Sequence, residues 1–286
     1  MRVVIVTGAG QGLGRAHALA FGQAGYGVVV NDVGDGAQRV ADEITAAGGA
    51  AVACPGDVAE WEFGAELVAT AVRTFGGLDA LVNNAGIVRD RMLVNLSEQE
   101  WDDVIRVDLK GHFVPLRHAA AYWRDRAKAG DRVAARIVNT TSGAGLQGSV
   151  GQGNYAAAKA GVTALTQVAA VEFARYGVTV NAIAPSARTA MTEAVFAEAM
   201  RKPESGFDAA APENVSPLVV WLASEDAGDV TGRVFEVWGG QVAVADGWQH
   251  GVPADAGRRW EPAELGPVVR ELLAKAPAPA PVYGAS

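Results

Sequence analysis

The chain opens on RVVIVTGAGQGLGRAHALAFGQAGYGVVVNDVGD, a stretch that restricts the possible folds more than any other in the sequence. Val3 to Val6 form a short β-branched run, Gly8, Gly12 and Gly14 punctuate a turn, and Arg15 to Gln23 continue in helix-forming residues. Short apolar runs with turn signals read as buried strands, so the unit is strand, glycine turn, helix, strand. The same alternation continues to Trp238, which prescribes right-handed βαβ crossovers and a parallel sheet. An α/β fold is therefore expected: a doubly wound parallel sheet of about seven strands with helices on both faces. A hydrophobic content of 50% and 35 glycines in 286 residues suit a sheet buried on both faces with tight turns, in a single domain.

Gly8, Gly12 and Gly14 follow the spacing TGxxxGxG, with Gln11 and Leu13 inside the turn. Glycines let the backbone approach a pyrophosphate, and the following helix N-terminus offers unpaired N–H groups and a positive dipole end. Asp32 ends the second apolar run, eighteen residues after Gly14. A carboxylate there accepts hydrogen bonds from an adenosine ribose and repels a 2′-phosphate, which favours NAD over NADP. The loop Ala9 to Leu13 carries no Lys or Arg, in agreement, while Arg15 and Arg39 stand as alternative phosphate partners. Asp32 also suits the start of a turn in NDVGDG.

Tyr155 and Lys159 lie four residues apart in GNYAAAKAG, thirteen residues after Ser142. Positions i and i+4 share a helix face, so an ammonium can sit beneath a phenol and favour its ionised form. A free tyrosine titrates near pH ~10, and a nearby cation makes it a better proton shuttle at neutrality. Ser142 closes the strand-like run RIVNTTS, where a hydroxyl can hydrogen-bond a substrate carbonyl. Taken alone, the pair better fits a surface Tyr/Lys contact on an amphipathic helix with a serine in a loop, because YxxxK spacing arises often by chance.

Taken with Asp57-Val58, the loop Asn83-Asn84-Ala85-Gly86 and Asn181 before Pro185, these motifs resemble the short-chain dehydrogenase/reductase family over about Arg2 to Gly240. The resemblance implies a Rossmann fold, with residues 1–240 as the catalytic domain and 241–286 as a C-terminal extension. It implies Ser142, Tyr155 and Lys159 as catalytic residues. It assigns Gly8, Gln11, Gly12, Leu13, Gly14, Asp32, Asp57, Val58, Asn84, Ala85, Gly86, Tyr155, Lys159, Pro185 and Thr189 to the nucleotide. In the family, Asp57 and Val58 border the adenine, Lys159 binds the nicotinamide ribose, and Thr189 meets the carboxamide.

Two positions depart from the family pattern. Asp108 stands in VDLKG where relatives have the Asn that bends the helix and links the lysine to solvent, and it is expected to recharge the proton relay. Ser186 replaces the glycine that follows the proline after the sixth strand. The wording of AGQGLGRAHALAF, GQGNYAAAKAG and PENVSPLVVWLAS is similar to (3R)-hydroxyacyl-CoA dehydrogenase units and to bacterial steroid-oxidising members. The resemblance thus implies hydride exchange between NAD and a secondary alcohol or ketone on a small-molecule substrate such as an acyl thioester or steroid. It also implies a homodimer or homotetramer formed through the long helices, although Val162, Leu165, Val168, Ala169 and Phe173 fit burial against the sheet equally well. The alternatives are a 3-oxoacyl thioester reductase, a class that prefers NADPH, and a catalytically weak nucleotide-binding scaffold, with Asp108 as the feature that suits the latter.

A net charge of −8 argues against nucleic acid as the main partner, and Arg124, Arg126 and Lys128 read as a solvated helix end. Cys54 is the single cysteine, so no internal disulfide forms and a reducing, cytoplasmic setting is expected, with Cys54 packed as a small apolar residue. His17, His112, His118 and His250 form no metal-ligand cluster in sequence, and no apolar stretch reaches the ~20 residues of a membrane span. The first apolar run ends at Gly8, too short for a signal peptide. Ser97 and Glu100 read as a capping box opening the helix that carries Trp101, Asp108 and Trp123, and a further helix is expected over Ala156 to Arg175. Between Ala190 and Val215 a helical pattern gives way to Pro, Gly and Ser, as in a mobile flap; Met191, Phe196 and Met200 fit either a pocket lining or the flap's anchors. In the extension, a helix is expected over Glu261 to Ala274, then an extended or disordered tail, PAPAPVYGAS.

Overall fold

The β-branched runs Val3–Val6 (β1), Gly27–Val30 (β2), Ala50–Ala53 (β3), Ala80–Asn83 (β4), Ala135–Thr140 (β5), Val178–Ser186 (β6) and Val234–Trp238 (β7) form one parallel sheet. An eighth strand, Gln241–Val244 (β8), pairs antiparallel with β7, giving the order β3-β2-β1-β4-β5-β6-β7-β8. The computed structural model describes residues 1–189, 191–192, 198, 200–245 and 247–284. Because β2 and β4 flank β1 on opposite sides, the winding reverses between β1 and β4, and a crevice opens beyond the carboxyl ends of these two strands.

Alternate residues of each strand face opposite layers, so the apolar runs build two cores. Val4, Val6 and Val28 pack with Phe21 of α1 (Gly12–Gln23), Ile44 of α2 (Gly36–Ala46), and Val219 and Leu222 of α8 (Ser216–Leu222). Val3, Ile5, Leu81 and Ile137 pack on the other face with Leu67 of α3 (Trp61–Phe75) and with Leu116 and Trp123 of α5 (Gly111–Lys128). The Trp123 indole N–H donates to the Leu78 carbonyl at 2.7 Å, so burying this large ring leaves no polar group unpaired.

The capping box holds: the Ser97 hydroxyl accepts from the Glu100 N–H at 3.2 Å, and the Glu100 carboxylate accepts from the Ser97 N–H at 2.9 Å. It opens α4 (Glu98–Val104), which runs through a wider π turn, Ile105–Lys110, into α5. The helix after Ser142 is split into α6 (Gly143–Gln147) and α7 (Gly153–Phe173), so the long helix starts ahead of the expected Ala156 and ends in a 3₁₀ turn over Ala174–Tyr176. Val162 and Ala169 of α7 are buried, whereas Val168 and Val171 face outward, so the apolar positions serve two surfaces.

The sheet continues past residue 240, one strand beyond the seven expected. Gly239 (φ 54°) and Gly240 make a two-residue hairpin turn, and Trp238 pairs with Gln241 across it. In the extension, a 3₁₀ turn (Pro262–Glu264) leads into α9 (Leu265–Lys275), displaced by a few residues from the span read in the sequence. The tail is not wholly free, since Tyr283 forms a parallel bridge with Ser149.

His17 of α1 is fully buried, with Nδ1 2.9 Å from the Ser216 hydroxyl of α8. Burial holds its pKa down to about 3, against ~6.5 for an unfolded histidine. The unfolded chain therefore binds more protons over that interval, so this contribution to stability is complete above pH ~6.5 and is lost as pH falls toward the folded value. Urea unfolding is expected to show stability falling between about pH 7 and pH 4, with a shallower fall in a His17→Gln variant. An equally steep fall in that variant would remove His17 as a cause.

Candidate active site

The glycine turn is required by contact as well as by dihedral angle. Gly8 and Gly12 have φ of 61° and 53°, a region that disfavours side chains. A Cβ on Gly14 would lie 2.1 Å from the Gly8 carbonyl oxygen, and one on Gly10 would lie 2.8 Å from Asp32 Oδ2. Thr7 and Asn84 join this turn to the end of β4: the Thr7 hydroxyl accepts from the Asn84 N–H at 3.0 Å, and the Asn84 amide donates to the Thr7 and Gly8 carbonyls. Ala85 packs against Gly8, where a Cβ would come within 2.6 Å of its Cα.

The first turn of α1 has no acidic residue, and Gln11 at its N-cap makes no side-chain capping bond, so the helix start is open to an anion. Leu13 is half-buried against the first core, beneath that helix start. Asp32 accepts from the Gly10 N–H and the Val33 N–H, each at 2.8 Å, and remains partly open to solvent. Arg15 pairs with Glu43 at 2.5 Å, while Arg39 is exposed. Asp57 accepts from the Ala59 N–H and from Arg106 at 2.7 Å, with Val58 buried beside it. Asn31, just before Asp32, donates to the Cys54 and Gly56 carbonyls and ties the two acidic loops together. These groups fit a dinucleotide: open N–H groups for a pyrophosphate, and a carboxylate at the tip of β2 for a ribose.

At the other end of the crevice the structure brings Ser142, Tyr155 and Lys159 together. Ser142 ends the strand-to-helix turn after β5 and accepts from the Ala144 N–H at 3.2 Å. Tyr155 sits in the first turn of α7 with its phenol beside the Ser142 hydroxyl. Lys159 Nζ lies 5.5 Å from the Tyr155 ring centroid, and its side chain is only 3% exposed. It donates to the Thr140 carbonyl at 3.0 Å and pairs with Asp108 Oδ2 at 3.3 Å.

The π turn places Asp108 inward even though the family Asn is absent, so the bend does not depend on an amide side chain. Asp108 Oδ1 accepts from the Ile87 N–H at 2.8 Å, and burial raises its pKa against the opposing pull of Lys159 and that N–H. A Cβ on Gly86 would come within 2.9 Å of Asp108 Oδ2 and 3.3 Å of Lys159 Nζ, so this glycine admits the pair.

Lys159 lowers the Tyr155 pKa, as expected, but without the nicotinamide charge the net direction is upward. Burial of the phenol is the larger effect; Lys159 and the Ser142 hydroxyl oppose it, and the Asp108 charge reinforces it.

Pro185 and Ser186 continue β6 alongside Val237 and Trp238, and no non-glycine residue among those described has positive φ, so Ser186 takes ordinary backbone geometry. Thr189 bonds to Thr192 and lies over the glycine turn, where a Cβ on Gly12 would be 3.6 Å from its methyl group. Arg188 pairs with Asp208 and donates to the Met200 carbonyl at 2.9 Å. Met200 is buried, as an anchor is, and Met191 is exposed; Phe196 lies outside the described residues.

Three neighbours escaped sequence reasoning. Asn154 is buried and donates to the Arg89 and Glu100 carbonyls, fixing the start of α7. His112 is buried near the Thr140, Asp108 and Asn83 backbone without a hydrogen bond of good geometry, and burial together with Lys159 keeps it neutral. Tyr283 reaches Gly143 from the far end of the chain. Asn154 had a signal, a polar residue inside an apolar helix face beside Tyr155; the other two had none.

A doubly wound sheet with a glycine turn at its switch point and a Ser/Tyr/Lys cluster beyond it defines a class of nucleotide-dependent oxidoreductases. The family model described as short chain dehydrogenase matches residues 2–200, and the chain belongs to that family. It is 51% identical over 283 residues to the hydroxyacyl-CoA dehydrogenase ChsB1 of Mycobacterium tuberculosis, covering 96% of this chain and 89% of that protein. It is 41% identical to the peroxisomal multifunctional enzyme type 2 of Mus musculus, with 91% of this chain covering 35% of that longer protein. The crystal structure of a short chain dehydrogenase from Mycobacterium avium superimposes with a TM-score of 0.92 at 64% identity, covering 99% of this chain and 98% of that one.

Replacing Asp108 by Asn keeps an acceptor for the Ile87 N–H but removes a negative charge that raises the Tyr155 pKa. In Asp108→Asn, tyrosinate absorbance referenced to a Tyr155→Phe background is expected to develop at lower pH than in the unmodified chain. An unchanged titration would show that the Asp108 charge does not reach the phenol.

Proposed function

We propose that this chain is an NAD-dependent dehydrogenase that exchanges hydride between nicotinamide and a secondary alcohol or ketone on a bulky apolar substrate, with a (3R)-hydroxyacyl thioester as the first candidate and a hydroxysteroid as the second. The observation that carries the reading is the convergence of the Ser142 hydroxyl, the Tyr155 phenol and the Lys159 ammonium at the mouth of the crevice that begins at the glycine turn. The similarity to a hydroxyacyl-CoA dehydrogenase over nearly the whole chain supports the substrate class.

NAD, when bound, supplies the hydride acceptor. Gly8, Gln11, Gly12, Leu13 and Gly14 would hold its pyrophosphate, Asp32 its adenosine ribose, and Asp57 with Val58 its adenine. Asn84, Ala85 and Gly86 would support the middle of the cofactor, and Pro185 and Thr189 its nicotinamide end. Tyr155 takes the proton from the substrate hydroxyl, and Ser142 donates to the substrate oxygen and fixes its orientation. Lys159 holds positive charge beneath the phenolate that accepts this proton. Its place between the Thr140 carbonyl and Asp108 keeps that charge from drifting, and Asp108 gives the ammonium a partner through which a proton returns.

Tyr155 must be ionised when it takes the substrate proton, so the upward pull of burial has to be offset by Lys159, by the Ser142 hydroxyl and by the positive nicotinamide of bound NAD. Asp32 would repel a 2′-phosphate, and Arg15 is engaged by Glu43, which together support NAD over NADP. The second reading is a 3-oxoacyl thioester reductase, which uses the same three residues; 40% identity to the 3-oxoacyl-[acyl-carrier-protein] reductase FabG of Staphylococcus epidermidis supports it. A nucleotide-binding scaffold without chemistry is the remaining alternative, and it predicts nucleotide binding with no turnover by the unmodified chain.

A homodimer or homotetramer fits the outward-facing Val168 and Val171 on α7 and Phe113 on α5. No helix among the described residues is long and apolar enough to cross a membrane. A reducing cytoplasm suits the buried, unpaired Cys54.

Tyr155→Phe is expected to lower turnover of a 3-hydroxyacyl thioester by about 10²-fold or more with NADH binding, read by its fluorescence, nearly unchanged. Unchanged turnover would take Tyr155 out of the mechanism, whereas no turnover by the unmodified chain with NADH bound would favour a scaffold. Asp32→Ala is expected to raise the KM for NAD by about tenfold or more and to narrow the preference over NADP. Tighter binding of NADPH than of NADH by the unmodified chain would overturn the cofactor assignment and favour the reductase reading.

A further inference from the structure

We infer that Tyr283, on the C-terminal arm, is a specificity-determining residue that forms one wall of the substrate cleft beside Ser142 and recognises the apolar acyl part of the substrate. The inference rests on the hydroxyacyl reading above. The arm returns from α9 to the loop between α6 and α7 and is held there in register. The Val150 N–H donates to the Tyr283 carbonyl at 2.9 Å, and the Tyr283 N–H donates to the Gly148 carbonyl at 3.2 Å. These two bonds make the single parallel bridge between Ser149 and Tyr283.

The contact surface is built from residues without side chains. A Cβ on Gly143, the residue after Ser142, would lie 2.9 Å from the Tyr283 hydroxyl oxygen and 3.0 Å from its ring. Val282 lies over Gly148 (φ 83°), and Gly284 (φ 75°) lies over Val150. The Tyr283 ring is thereby brought up to the backbone that carries the Ser142 hydroxyl. Tyr283 nonetheless keeps 42% of its surface exposed, so it retains area that a ligand can cover.

The neighbouring surface has the same character. On the opposite side of the loop, the Arg91 N–H donates to the Gly151 carbonyl at 2.7 Å, and Leu93 reaches Gly153, two residues before Tyr155, while remaining largely exposed. Leu93, Val150, Val282 and Tyr283 thus border the Ser142/Tyr155 end of the crevice with exposed apolar surface. Such a rim suits an alkyl chain or ring system, because exposed apolar area gathered at a cleft mouth is covered when an apolar ligand enters.

The test keeps the thioester handle constant and varies the acyl part between a short chain and a bulky ring-bearing or long chain. Tyr283→Ala and a chain ending at Pro281 are compared with the full chain. Both changes are expected to lower kcat/KM for the bulky substrate by about tenfold, chiefly through KM, and to leave the short substrate within about twofold. NADH fluorescence is expected to be the same for all three proteins. Equal losses on both substrates, or no loss on either, would overturn the inference while leaving the dehydrogenase reading intact. Failure of the full chain to turn over any of the thioesters, with NADH bound, would defeat that reading and this inference together. Amide exchange at Val150 and Tyr283 gives a second readout: slowed exchange is expected in the full chain, and the rate of unstructured chain at both positions would also overturn the docked arm.

Discussion

The Lys159 ammonium, sealed from water, sets the demands that the rest of the site meets. A buried cation is costly unless oxygen atoms surround it, and here they come from two separate parts of the chain. The Thr140 carbonyl projects from the end of β5, and the Asp108 carboxylate projects from the π turn between α4 and α5. Meeting both requires α7 to pack closely against β5 and the π turn. Gly145 supports that approach, since a Cβ there would lie 2.7 Å from Lys159 itself. Tyr155, one turn earlier on α7, is carried over the crevice by the same packing.

The cofactor end and the chemical end are linked through the ends of β1 and β4. Thr7 and Asn84 bind these two strands at the point where the winding of the sheet reverses, and Gly86 continues from there to the Asp108–Lys159 pair. In the proposed reading, a nucleotide in the crevice and a proton on the phenol would be coupled through this short, well-packed segment. Burial that raises the Tyr155 pKa and an ammonium that lowers it act against one another, which leaves the phenol sensitive to any further charge brought by a ligand.

Much of this was legible in the residues because it depends on local pattern. The glycine spacing, the β-branched runs, the Ser97/Glu100 capping box and the i, i+4 placement of Tyr155 and Lys159 are short-range features whose physics acts within a turn or two. The single fold class followed from the alternation of such units. The eighth strand had a readable signal in Gly239-Gly240 between two apolar runs, but the antiparallel return breaks the parallel pattern that the rest of the chain establishes.

By itself the sequence determined the order of strands and helices, the turn that can receive a pyrophosphate, and the identity of the three groups that meet at the crevice, because covalent neighbours and helical periodicity decide these. Only the tertiary structure decided the direction in which the Tyr155 pKa moves, the direct pairing of Asp108 with Lys159, and the return of Tyr283 to Gly143. Each of these depends on how much water is excluded and on which distant segments share a surface. Solvent exclusion and long-range contact are properties of the packed chain as a whole, and no short window of residues contains them.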